Sequence, residues 1–187
     1  MKELHLVLFK SRNKDNKHLG KEYKQRGYQF LTTLDKDDPK LIQEFNAFVD
    51  KGTTLEVSRF YYSVNSRSEK KTKQALLHYL IDNDVDLSKI DNLTARLSAK
   101  PENRSSSKWL FDCDFKDENT LNELIKDIKT LSGEEDIIEI VKSTPSGYHI
   151  IVKHGFDTRK LLAKTEELGL DVTLKRDEFL FMKMKTK

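Results

Sequence analysis

The apolar positions change their spacing along the chain, and each change predicts an element. Residues 4–9 place Leu4, Leu6, Val7, Leu8 and Phe9 in a short run closed by Lys10, which predicts a strand. The basic stretch that follows reads as a loop. Asp38 and Pro39 precede Leu41, Ile42, Phe45, Phe48 and Val49, a helical spacing with a capping residue, a first-turn proline and Gly52 as its stop. Residues 54–64 are dense in β-branched and aromatic side chains and predict a strand. A helix starts near Ser68, with Ala75, Leu76, Leu77, Tyr79, Leu80 and Ile81 as its apolar part, and residues 86–99 predict another. The polar run 101–107 holds a proline and three serines and reads as a flexible joint.

From Lys108 the alternation is more regular. A strand over 108–114 leads to a helix over 118–131 with Leu121, Leu124, Ile125 and Ile128 on one face, and strands are predicted over 136–143 and 148–153. Asp157 opens a helix that Gly169 ends. Two last strands, 172–175 and 179–184, read as a hairpin around residues 176–178. The order β-α-β-β-α-β predicts an α+β protein whose residues 108–187 form an RRM-like or ferredoxin-like antiparallel sheet, preceded by an α/β part over residues 1–100. At 187 residues one domain is expected.

Composition narrows the function classes. The chain is 36% hydrophobic and 35% charged, a folded rather than a disordered mixture, and its formal charge of +3 points only weakly to a polyanionic partner. The basic residues are nevertheless bunched. Residues 10–26 carry seven lysines and arginines against Asp15 and Glu22, and Arg67, Lys70, Lys71 and Lys73 make a second run, so either could line a phosphate backbone or simply be a solvated face. A single cysteine, Cys113, excludes an internal disulfide and a cysteine-rich zinc knuckle. No stretch approaches the ~20 apolar residues that span a bilayer, and the first strand is too short for a secretion signal, so a cytoplasmic protein is expected. Walker, Rossmann and nucleophile-elbow patterns are absent.

Two short segments can carry chemistry. In Trp109-Leu110-Phe111-Asp112-Cys113-Asp114, alternation sends Asp112 and Asp114 to one face at the end of an apolar strand, and Cys113 to the other. Paired carboxylates suit magnesium or manganese, which takes hard oxygens from one or two carboxylates, water and phosphate, although a strand end with two solvated aspartates has the same sequence. In Ser143-Thr144-Pro145-Ser146-Gly147-Tyr148-His149 a turn can offer backbone N–H groups, the Ser146 hydroxyl and the His149 ring to a phosphate. Taken alone, a histidine near a strand end such as His149 is more often a hydrogen-bonded structural residue.

In combination these segments resemble the archaeo-eukaryotic primase, or primase-polymerase, superfamily, in the form of a minimal plasmid- or phage-type catalytic domain. The resemblance rests on Asp112-x-Asp114, then Ser146-Gly147-x-His149, then Asp171 before the terminal strands, with Tyr61-Tyr62-Ser63-Val64-Asn65-Ser66-Arg67 upstream. It implies a template-directed nucleotidyltransferase with two divalent ions, Mg2+ or Mn2+, held by Asp112, Asp114 and Asp171, with Asp177 as the alternate third acid. It further implies that Ser146, Gly147 and His149 hold the incoming nucleoside triphosphate, that Asn65 and Arg67 contact nucleotide or template, and that the partners are single-stranded or primed nucleic acid and replication proteins such as a helicase.

Two other readings stand beside it. An RRM-like sheet could bind single strands without catalysis, stacking bases on Phe60, Tyr61 or Tyr62. His5 and His149, each opening an apolar strand, suggest a two-histidine phosphoesterase, which expects Ser or Thr where this chain has Val7 and Ile151.

Overall fold

A computed structural model describes residues 3–187 as an α+β protein with two four-stranded sheets and five α-helices. It divides into two compact units, residues 1–106 with 181–187, and residues 107–180. Among the described residues no helix is long and apolar enough to cross a membrane.

The first unit is built on β1 (His5–Ser11), β2 (Arg26–Thr32) and β3 (Val57–Ser63), with α1 (Pro39–Asp50), α2 (Glu69–Asp82) and α3 (Ile90–Ser98). Its sheet runs β2-β1-β3-β8, where β8 is Phe179–Thr186, and β1 pairs antiparallel with both neighbours. Asp38 caps α1, its carboxylate accepting the Lys40 N–H at 2.8 Å, and the helix buries Leu41, Phe45 and Val49 at intervals of four. These side chains meet Val7, Phe9, Phe60 and Tyr62 in one core.

β2 is a strand that the sequence reading passed over. Its Tyr28 and Phe30 stack 5.1 Å apart and both approach the Phe9 ring, the cross-strand aromatic contact that favours pairing with β1. α2 also departs from expectation. Its one buried residue is Thr72, and Leu77 and Ile81, expected in an apolar face, are exposed.

The expected flexible joint is instead tied down. Ser106 Oγ donates to Asn65 Oδ1 at 2.9 Å and accepts the Ser66 N–H at 3.0 Å, the Ser105 N–H bonds the Ser66 carbonyl, and the buried Asn103 amide bonds the Leu97 carbonyl. A serine cluster signals mobility only when its hydroxyls find no partner, and here Ser106 Oγ binds a backbone N–H and an Asn65 oxygen while Ser105 Oγ binds Ser66 Oγ.

The second unit is made of β4 (Trp109–Cys113), α4 (Glu118–Ser132), β5 (Ile138–Ser143), β6 (Tyr148–Val152), α5 (Arg159–Glu167) and β7 (Val172–Lys175). Its sheet runs β5-β6-β4-β7, and every neighbouring pair is antiparallel. Phe111 and Cys113 of β4, Ile150 and Val152 of β6, and Val172 and Leu174 of β7 pack with Leu121, Leu124, Ile128 and Leu161 of the helices. Alternation therefore sends Asp112, His149, Thr173 and Lys175 to the sheet face away from α4 and α5.

The expected β7–β8 hairpin does not form. β7 pairs with β4, while β8 joins the first unit's sheet beside β3. The side chains explain the separation: Val172 and Leu174 belong to the core under α4 and α5, whereas Met182 packs on the core of the first unit and Phe181 meets Tyr61 edge-on at 5.9 Å.

Candidate functional site

On the sheet face away from α4 and α5, which also carries the buried Leu110 and Ile151, Asp112 stands between two basic side chains. On the β4–β6 ladder it stands directly opposite His149, and His149 Nε2 lies 3.3 Å from Asp112 Oδ1. On the other side Lys175 of β7 stands opposite Leu110, a diagonal neighbour of Asp112, and its stem spans the diagonal to put Nζ 2.6 Å from Asp112 Oδ2. Both oxygens of one carboxylate thus meet a basic side chain. The hydrogen bond from His149, with help from Lys175, outweighs burial and holds the Asp112 carboxyl at about 2. Burial alone works against the Lys175 ammonium, but the bond to Asp112 prevails and raises it above the usual lysine value.

Asp114 is exposed just beyond the end of β4, and its N–H donates to the Asp171 carbonyl at 2.9 Å. Asp171, also exposed, immediately precedes β7. Backbone pairing therefore brings residues 112, 114 and 171 to one end of the β4–β7 pair, although they are spread over 60 positions of sequence. Asp177 is half-buried in the link between β7 and β8.

The turn between β5 and β6 locks onto this strand end. Gly147 is buried, and a Cβ there would stand 2.0 Å from the Cys113 carbonyl oxygen and 2.5 Å from that of Phe115. Only glycine admits so close a backbone approach. Gly147 donates its N–H to Thr144 Oγ1 at 3.0 Å and its carbonyl accepts the Thr144 N–H, so the turn's own polar groups hold its shape. Ser146 is exposed at the tip, and Tyr148 donates its hydroxyl to the Lys116 carbonyl. The Ser-Gly-x-His segment and the Asp-x-Asp segment are in this way one packed piece.

Asn65 and Arg67 lie in the first unit and are buried. Asn65 accepts from Ser106, and the Arg67 N–H bonds the Leu4 carbonyl at 2.6 Å, so both help to fasten the 103–106 segment and the start of the chain to the end of β3. Phe60 and Tyr62 are core residues, and the Tyr62 hydroxyl donates to the Leu34 carbonyl, while Tyr61 sits on the other face against Phe181. Their rings are thus committed to packing. His5 is held by Ser63 and stacked on Tyr62 at 4.6 Å. Cys113 is fully buried in the core, and burial pushes its thiol up to about 12, which leaves it inert.

The first basic run is partly structural. Arg12 and Arg59 both make paired hydrogen bonds to the Asp15 carboxylate, and Arg26 donates to the buried Glu56 at 2.6 Å. Lys14, Lys17, Lys21 and Lys24 remain exposed.

Lys175 is the site residue that sequence reasoning missed. Alternation sets it on the face of Thr173, but its nearness to Asp112 depends on β7 pairing with β4.

Asp112 and Asp114 are the residues here that could ligate a small divalent ion. Asp112 and Asp114 present hard oxygens, and magnesium is satisfied by one or two carboxylates with water and phosphate completing its shell. Among the described residues, no group of three or more His, Cys, Asp or Glu side chains is arranged to hold a metal ion. Comparisons with protein-family models, curated proteins and solved structures find no match.

Proposed function

We propose that the protein is a template-directed nucleotidyltransferase of the primase-polymerase kind, making phosphodiester bonds from nucleoside triphosphates. The observation that carries this reading is the convergence of Asp112, Asp114, the Gly147 turn, His149 and Asp171 at one end of the sheet, through strand pairing and backbone contact. The strand order β7-β4-β6-β5, with the first strand of the unit between its third and fourth, supports a ferredoxin-like or RRM-like arrangement for residues 107–180.

Each side chain then has a task that the geometry supports. Asp112 and Asp114, with Asp171 beside them, would hold magnesium or manganese, and the ion would supply positive charge to the reacting phosphate. In this reading His149 Nε2, which faces Asp112 Oδ1 in the bare site, would serve a phosphate oxygen of the incoming nucleotide, and the exposed Ser146 hydroxyl would serve another. Gly147 keeps the turn against the aspartate strand, so carboxylates and donors stay in one frame.

The test is extension of a labelled primer, and synthesis on an unprimed template, with each divalent ion. The wild-type protein forms product, while chelation and Asp112→Ala with Asp114→Ala abolish it. A folded wild-type protein that forms no product with either ion, either template or either sugar type overturns the reading. One observation favours a second reading, a sheet that binds single strands without chemistry: both Asp112 oxygens are engaged by basic side chains. Such a module holds a labelled oligonucleotide equally with chelator and after the double substitution.

A further inference from the structure

We propose that Lys175 is an exchangeable counter-ion of Asp112: it holds the carboxylate until a divalent ion arrives, then turns its ammonium to a phosphate oxygen of the bound nucleotide. This inference rests on the nucleotidyltransferase reading and adds a residue and an order of events to it.

The two basic partners of Asp112 are attached differently. His149 is directly across the ladder, on a short side chain, and is only 8% exposed, so its ring stays where β6 puts it. Lys175 reaches Asp112 along a diagonal, and its side chain is 34% exposed. Its four-carbon stem carries a point charge through several rotatable bonds, so the ammonium can leave Asp112 with no movement of β7.

A carboxylate that is half-buried, with 22% of its side chain exposed, is stabilised by a positive partner. Lys175 supplies it at Oδ2, the oxygen opposite the one His149 approaches. A divalent ion binding Asp112 takes over that task, and an ammonium at 2.6 Å from the same oxygen then faces strong like-charge repulsion. Metal entry therefore expels Lys175. The acidic groups that act on the ammonium include Asp112, Glu178 and Asp114, and the two aspartates are the metal's own ligands in this reading. The polyphosphate that enters with the metal is the anion to which the released ammonium turns. Lys175 thus guards the site when it is bare and recognises substrate when it is loaded.

Removing the ammonium consequently has opposite effects on two ligands. Manganese binding to the full chain is measured by calorimetry for wild type, Lys175→Met, Lys175→Gln and Lys175→Arg, followed by triphosphate binding at saturating manganese. With the competitor gone, the Met and Gln variants bind manganese about tenfold more tightly and triphosphate about tenfold more weakly, each a change of about 1.4 kcal/mol. The Arg variant, which keeps the charge, stays near wild type in both. Thermal melts establish that each variant is folded, and Gln retains a polar chain where Met would disturb the sheet. If wild type binds both ligands while folded Met and Gln variants match it in manganese affinity, or bind manganese less well, the inference is overturned and the proposed function stands. If wild type binds neither manganese nor triphosphate, both are overturned.

Discussion

Gly147→Ala puts a methyl group 2.0 Å from one backbone oxygen and 2.5 Å from another, and neither carbonyl can retreat without shifting the strand end that carries Asp112 and Asp114. The expected cost is about 3 kcal/mol in chemical denaturation, with manganese binding weakened in the fraction that folds. In the first unit, Asp15 is the residue to test. Burial pushes its carboxyl up, the hydrogen bonds from Arg12 and Arg59 more than reverse this, and the group ends below its ordinary 3.8. A depressed carboxyl contributes stability above its unfolded value and loses it as pH falls through the folded one. Asp15→Ala is therefore expected to cost about 3 kcal/mol at pH 7, leaving two guanidiniums half-buried without their acid, and to differ progressively less from wild type below about pH 4 in urea melts. An unchanged difference between pH 7 and pH 3 would contradict this account. Residues that share a strand were legible beforehand, because a period of two fixes which side chains share a face, and so Asp112 and Asp114 were set on one face and Cys113 on the other. The Arg12–Asp15–Arg59 group was not legible. Its second arginine lies 44 positions away, and nothing in a basic run says which of its members a distant fold will use.

Elements with a clean period emerged where the sequence put them: α1 behind Asp38-Pro39, and α4, which the structure caps with Asp117 and stops at Gly133, whose φ of 74° suits the left-handed turn. β2 was hidden because the basic run before it drew the reading toward a loop, and its identity depends on aromatic contacts with Phe9 across the sheet. In α2 the apolar residues wrap around the helix instead of keeping to one stripe, and the structure leaves Leu77 and Ile81 outside. The two helices should answer mutation differently. Phe45→Ala in α1, fully buried among aromatic rings, is expected to cost about 4 kcal/mol, whereas Ile81→Lys, at a position 80% exposed, should stay within about 0.5 kcal/mol, both read from denaturation midpoints.

At the scale of the molecule the chain leaves its first unit at residue 106 and returns to it at residue 181. The sequence pattern shifts near Lys108 but predicts one domain whose second part runs on to residue 187; the return was not legible, since residues 172–184 read locally as a hairpin and only the competition between two cores sends β8 away from β7. Ending the chain after Leu180 removes β8 from the β2-β1-β3-β8 sheet and leaves β5-β6-β4-β7 whole. Hydrogen exchange on that truncated protein is expected to show lost protection in β3 and retained protection in β4 and β6; equal loss in both sheets would mean that the two cores do not fold as separate units. The same connectivity makes the two sheets unequal in what they ask of the chain: β5-β6-β4-β7 draws all its strands from the continuous stretch 107–180, whereas β3 is a bare edge until β8, from the far side of that stretch, comes back to cover it.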